Sequence, residues 1–167
     1  MAVKDITPER LRRLLDYDPA TGLFRWRVTV NRSAVAGSVA GTPGGEGRVY
    51  TNIQIDGTKV AAHRLAFLYM TGAWPDAEVD HINGEGHDNR WENLRCATRA
   101  QNQQNMRKAR SNNAGGVIGI RKRGKRWTAS ITADGKRSIH LGTFDDAESA
   151  HQAYLVAKRE MHPFCTI

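Results

Sequence analysis

Residues 79–105 read VDHINGEGHDNRWENLRCATRAQNQQN, and the fold is decided there. Glu78 to Ile82 has the alternation of a short strand. Asn83 to Asn89 is a polar loop holding Gly84 and Gly86. Thr98-Arg99-Ala100-Gln101 fits the capping-box pattern, in which the Thr hydroxyl and the Gln side chain each satisfy an open helix-end N–H. A helix is therefore predicted from Thr98 to about Ala109. Such a strand–loop–helix unit puts Asp80 and His81 at the strand end, Asn93 beyond the loop and Asn102 one turn into the helix.

Those residue types suit phosphodiester hydrolysis. Neighbours on a strand point to opposite faces, but at a frayed strand end both can reach one cleft. A hard divalent cation takes oxygen ligands, and the Asp80 carboxylate and Asn102 amide oxygen supply two. The cation would neutralise a phosphate oxygen and stabilise the leaving 3′ oxygen. A histidine, with an ordinary pKa of about 6.5, can take a proton from the attacking water, the task for His81. Asn93 could fix the ring or the loop through hydrogen bonds. Against this stands the plainer reading, since a lone His or Asn in a polar loop is more often structural or solvated. His87 and Asp88 are weaker candidates. Cys96 near His81 and His87 lacks the further Cys or His that a structural zinc needs. Spacing alone leaves both readings open.

The surrounding chain narrows the partner. In 167 residues there are 25 Lys and Arg against 17 Asp and Glu, a net charge of +8, and the pI is about 9.9. A pI this high makes nucleic acid the leading partner, ahead of an acidic protein or a membrane surface. No apolar run is long enough to span a membrane. The charged N-terminus, MAVKDITPERLRRLL, lacks the apolar core of a secretory signal. Cys96 and Cys165 form no CxxC pair, so no disulfide scaffold is expected. The expectation is an intracellular protein, in the cytoplasm of a host cell if a phage or mobile element encodes it.

Charge is unevenly spread. Arg121, Lys122, Arg123, Lys125, Arg126, Lys136 and Arg137 face a single acid, Asp134, within residues 121–137. A second basic run, Arg95, Arg99, Arg107, Lys108 and Arg110, precedes it. One such run is usually a solvated face; two in a chain already at +8 favour contact with phosphate. Between them, ARSNNAGG (109–116) is small, polar and glycine-rich, and reads as a linker. A glycine-rich stretch at 37–47 reads as a surface loop. The expected division is a first module at 1–108, a linker at 109–116 and a second module at 117–167.

Within the first module, Thr7-Pro8 opens a short helix with Leu11, Leu14 and Leu15 on its apolar face. Asp18 to Gly22 is a turn, and Leu23 to Val28 a strand. Arg48 to Ile55 and Lys59 to Ala62 flank Asp56-Gly57, a strong hairpin signal. His63 to Met70 reads as a buried helix. In the second module, strands are predicted at Val117–Arg121, Trp127–Thr132 and Arg137–Leu141, with a helix from Asp145 to about Met161. Its Ala147, Ala150, Tyr154, Ala157 and Met161 form one packing face.

Two resemblances follow. Val79-Asp80-His81-Ile82-Asn83-Gly84, Asn89, Asn93-Leu94-Arg95 and Ala97-Thr98-Arg99-Ala100-Gln101-Asn102 resemble the HNH, or ββα-metal, endonucleases, closest to their homing branch in phages and mobile introns. Asp16 to Trp26 and His63-Arg64-Leu65-Ala66 resemble segments that accompany that branch. The resemblance implies that Asp80 and Asn102 bind one divalent cation, Mg²⁺ with Mn²⁺ as the alternative. It implies His81 as general base and Asn93 as the holder of the loop. The cysteine pairs of some relatives are absent, so no structural zinc carries over.

Residues 117–162 resemble an AP2 DNA-binding domain through Val117-Ile118-Gly119-Ile120-Arg121, Lys125-Arg126-Trp127-Thr128-Ala129, Gly135-Lys136-Arg137, Leu141-Gly142-Thr143-Phe144 and Ala147 to Tyr154. That family packs a three-stranded antiparallel sheet on one helix and lays the sheet in the major groove. Strand alternation puts Arg121 and Arg123 on one face, opposite Ile120. Trp127, Thr132 and Arg137 lie where later strands would add contacts, with Trp127 open between DNA and the core. Arginine can read guanine through two hydrogen bonds. Lys122, Lys125, Arg126 and Lys136 suit phosphate.

The expected fold is thus α+β, a ββα-metal nuclease module followed by a three-stranded AP2-like sheet on one helix. The expected function is a site-directed, metal-dependent endonuclease acting on double-stranded DNA. One active site per chain favours a nicking monomer, and a dimer is the route to double-strand cuts. The principal rival is a non-catalytic, sequence-specific DNA-binding regulator. A non-specific nuclease is the second.

Overall fold

The computed structural model describes residues 5–41, 50–106, 109, 117–133 and 137–166. Most of the glycine-rich stretch at 37–47, nearly all of the 109–116 linker, the Asp134-Gly135 turn and Lys136 lie outside the described residues. The chain forms two compact units, Met1–Cys96 and Ala97–Ile167. They part ahead of the helix carrying Asn102, whereas the sequence placed the module boundary after it. Among the described residues, no helix is long and apolar enough to cross a membrane.

The first unit opens with α1 (Pro8–Leu14), capped by the Thr7 hydroxyl, which accepts from the Arg10 N–H at 3.2 Å. Leu15, expected on the helix's apolar face, instead starts strand β1 (Leu15–Asp18), antiparallel to β2 (Leu23–Trp26). The reason is local alternation: Leu15 and Tyr17 are buried while Asp16 and Asp18 are exposed, a strand's period of two. The Asp18 carboxylate closes the intervening turn by accepting from Ala20 N at 2.9 Å and Thr21 Oγ1 at 2.7 Å. β2 ends at Trp26, short of the predicted Val28.

Strands β3 (Asn52–Ile55) and β4 (Thr58–Ala61) form the hairpin that Asp56-Gly57 predicts. Both turn residues take positive φ, 49° and 80°, the geometry that matches the twist of paired strands. α2 (Ala62–Thr71) follows directly. Strand β5 (Glu78–His81) pairs with β6 (Leu94–Ala97), and a single 3-10 turn, Trp91–Asn93, leads into β6. β6 has no counterpart in the strand assignments above, because four residues with one large apolar side chain carry little pattern. Ile6, Leu11, Leu15, Phe24, Ile53, Ile55, Leu65 and Leu68 form the buried centre of this unit. Each contributes about 1.5–3 kcal/mol by burial, so the elements around β5 stand on a fixed base.

The second unit begins with α3 (Arg99–Gln104). Its capping box is formed: Thr98 N donates to Gln101 Oε1 at 2.8 Å, and Gln101 N to Thr98 Oγ1 at 3.3 Å. The helix is shorter than predicted, closing at Asn105. Strands β7 (Ile120–Arg123), β8 (Arg126–Ala133) and β9 (Arg137–Phe144) form an antiparallel sheet in that order, and α4 (Ala147–Met161) packs on it. Ile120, Ala129, Ile131, Ala150, Tyr154 and Ala157 make the core between them. Lys158, on α4 and fully buried, donates from Nζ to the Met106 carbonyl just beyond α3. Thr166 Oγ1 donates to Asn105 Oδ1 at 3.1 Å. These bonds explain why α3 groups with the second sheet.

Candidate active site

His81 ends β5, and the backbone reverses there: Gly84 N donates to His81 O at 2.9 Å. Asp80 and His81 are both buried, at 6% and 4% exposure, so each needs polar partners in place. Asp80 Oδ2 accepts from Arg95 Nε at 3.0 Å and Nη2 at 2.9 Å, across from β6. His81 Nε2 lies 3.3 Å from Asn89 Oδ1. The Asn89 amide is oriented by its own Nδ2, which donates to His87 O at 3.1 Å. Its oxygen therefore faces the ring, Nε2 carries the ring proton, and Nδ1 is the basic nitrogen. Burial pushes the His81 pKa down, while the Asn89 hydrogen bond and the Asp80 charge oppose that shift. The ring is thus neutral at pH 7, the state a base requires.

Asn93 ties the two ends of the intervening loop. Its Oδ1 accepts from Asn83 N at 2.9 Å, its Nδ2 donates to Asp88 O at 2.7 Å, and its carbonyl accepts from Ile82 N at 2.9 Å. Asp88 sits inside this network, bonded by Asn83 Nδ2 at 2.7 Å and by Arg90 Nε and Nη2 at 2.9 and 2.8 Å. The Arg90 bonds hold its pKa down at about 2. Asp88 is a structural anion of the loop. The loop also rests on the β1–β2 hairpin. Tyr17 Oη donates to Asn89 O at 2.7 Å, and Trp91 N to Pro19 O at 3.0 Å. Gly22, at φ 73°, comes so close that a Cβ there would lie 2.4 Å from Arg90 N and from the Asn89 carbonyl carbon.

Two further rings surround His81. His63, in the first turn of α2, meets it edge-on with centroids 5.1 Å apart and planes at 84°. Tyr50 stacks on it at 5.8 Å and 23°. Burial pushes the His63 pKa down to about 3, so it is neutral beside His81. Neither ring was a sequence candidate. His63 stood only within an accompanying motif, and nothing in the one-letter pattern joins residue 50 to residue 81.

Of the four residues singled out by sequence, Asp80, His81 and Asn93 come together in the first unit, and Asn102 lies on α3 in the second. Among the described residues, no three His, Cys, Asp or Glu side chains cluster in a way that could hold a metal. Asp80 and Asn102 each carry an oxygen donor of the kind a hard dication takes. Cys96 is exposed and unpaired with any other cysteine, as is the half-buried Cys165.

On the second unit's sheet, the register pairs Arg121 with Thr128, Arg123 with Arg126, Ser130 with His140, and Thr132 with Ser138. These lie on the face opposite Ile120, Ala129 and Ile131, which turn toward α4. Arg121, Arg123, Lys125 and Arg137 are exposed. Arg126 is partly engaged, with Nε 3.0 Å from Asp145 Oδ1. Trp127 lies on the helix side, packed against the second core, and Lys122 Nζ stands 5.7 Å from the centre of its ring. The tryptophan therefore does not share the face of Arg121 and Arg123.

Residues 60–104 match the family model described as HNH endonuclease. The match runs from β4 through α3 and includes His63, Asp80, His81, Asn93 and Asn102. It supports a nuclease function for the protein. Comparison with curated proteins and with solved structures gives no match.

Proposed function

We propose that the protein is a divalent-metal-dependent DNA endonuclease, targeted by its second unit. The observation that carries this reading is the buried His81–Asn89 pair, which leaves Nδ1 as the basic nitrogen of a residue next in sequence to Asp80, inside the stretch that matches the HNH endonuclease family. His81 takes the proton from the attacking water through Nδ1. Asn89 holds its ring, and Asn93 holds the loop that presents it. Asp80 and Asn102 are the residues assigned to the cation, Mg²⁺ or Mn²⁺. When bound, it supplies charge neutralisation at the scissile phosphate and the leaving oxygen. One such site per chain suits a nick.

The exposed face with Arg121, Arg123, Ser130 and Thr132, together with the exposed Arg137 at the start of β9, supports an AP2-like role in the major groove, in which Lys122, Lys125, Arg126 and Lys136 would take phosphate. Supercoiled DNA carrying the protein's own flanking sequence, incubated with Mg²⁺, Mn²⁺ or EDTA, tests the reading. Open circles formed only with metal, and absent with His81→Ala, are expected; linear product would mean a double-strand cut. DNA that stays intact in every metal while shifting on a gel would instead make the protein a DNA-binding regulator.

A further inference from the structure

We propose that Tyr50 and His63 are positioning residues that set the ring orientation of His81 from two sides. The proposal rests on the reading of His81 as the base, but the geometry stands apart from it. The ring torsion of a histidine is broad and roughly two-fold, so the side chain's own rotamer does not fix where its nitrogens point. The contact with Asn89 restrains one nitrogen. The two neighbouring rings restrain the plane. Tyr50 lies along its face and His63 meets it edge-on, while those two rings also touch each other, with centroids 5.0 Å apart at 65°. Stacked and edge-to-face arrangements at these separations are the favourable ones for aromatic rings.

His63 is buried, and its Nδ1 has no hydrogen-bond partner among the described residues. What the geometry shows at this position is a flat ring set edge-on against His81. The β3–β4 hairpin is the device that delivers both rings. Tyr50 lies just ahead of β3, and His63 directly after β4 in the head of α2.

The test compares Tyr50→Ala, Tyr50→Phe, His63→Ala and His63→Phe with the wild type on supercoiled DNA with Mg²⁺. Tyr50 is 45% exposed, so its truncation leaves the core intact even if His63→Ala unfolds. A slight misplacement of a reacting group can cost on the order of a hundredfold. Both alanine variants should lose about tenfold or more in kcat with KM unchanged, and both phenylalanine variants should stay near wild type. A second readout does not depend on cleavage: side-chain NMR relaxation of the labelled His81 imidazole. Ring order should fall in the alanine variants and persist in the phenylalanine ones. Unchanged kcat together with unchanged ring order in Tyr50→Ala would overturn the proposal. So would loss in the phenylalanine variants equal to that in the alanine ones, which would assign the role to the hydroxyl or the ring nitrogen. If the wild type cuts nothing while the ring order responds as expected, the nuclease reading fails and the positioning role stands.

Discussion

Asp80, His81, Asn89 and Asn93 are each less than a tenth exposed, and each is met by a hydrogen bond or ion pair at a defined distance. Arg121, Arg123, Lys125 and Arg137 stand in solvent, the first two on the sheet face turned away from its helix. The first group is costly to bury and useful only if held still; the second keeps its hydration and its rotamer freedom until a partner arrives. The contrast separates two kinds of contribution. Losing a buried group should act on the rate of a chemical step and on stability, while losing an exposed cation should act on affinity and its salt dependence.

The largest expected effect is on the buried side. His81→Ala should lower the cleavage rate by roughly a hundredfold to ten-thousandfold, the usual worth of a positioned proton acceptor. Its gel-shift affinity should match the wild type, and a parallel loss of binding would erase the distinction between the two regions. Asn93→Ala comes next, because it strips partners from Asn83 N and the Asp88 carbonyl at once. It should cost about 1–3 kcal/mol in urea unfolding, with cleavage falling alongside. On the exposed side, Arg121→Ala should relax sequence preference by ~1–3 kcal/mol in competition binding while leaving turnover of bound DNA unchanged.

Two smaller effects sharpen the contrast. The folded pKa of His63, about 3, lies below its ordinary value of 6.5, so the unfolded chain takes up that proton first as pH falls. The stability tied to this group is complete above pH 6.5 and drains away toward pH 3, by at most ~1.4 kcal/mol per pH unit. His63→Phe should remove that part of the slope in unfolding measured across the window; identical slopes in both proteins would show that burial does not hold the imidazole neutral. Lys122→Ala should weaken all DNA sequences alike and reduce the salt slope by about one unit.

How much of this was legible depends on how far each signal reaches along the chain. Local chemistry was read well: the Thr7 cap, the Asp56-Gly57 hairpin and the Thr98–Gln101 capping box all turn on neighbouring residues. Short elements were not. β1 hid at the end of a leucine-rich helix, and β6 hid because four residues show no period. In the site, Asp80, His81 and Asn93 announce themselves by chemical type. Tyr50, His63 and the Arg95–Asp80 pair depend on strand pairing and a hairpin, which no spacing rule displays. Lys158 was unreadable for the same reason, since a lysine in a helix ordinarily faces water and this one is fully buried.

The contact of Gly22 with the backbone of Asn89 and Arg90 bears on how the matched stretch could be moved between proteins. The stretch that matches the nuclease family starts at residue 60, yet the floor beneath its loop is the turn at Pro19–Gly22, joined by Tyr17. A graft of the matched stretch alone would carry Asp80, His81 and Asn93 without the surface their loop rests on. A fragment meant to keep this loop's shape should therefore hold the matched stretch together with the N-terminal hairpin.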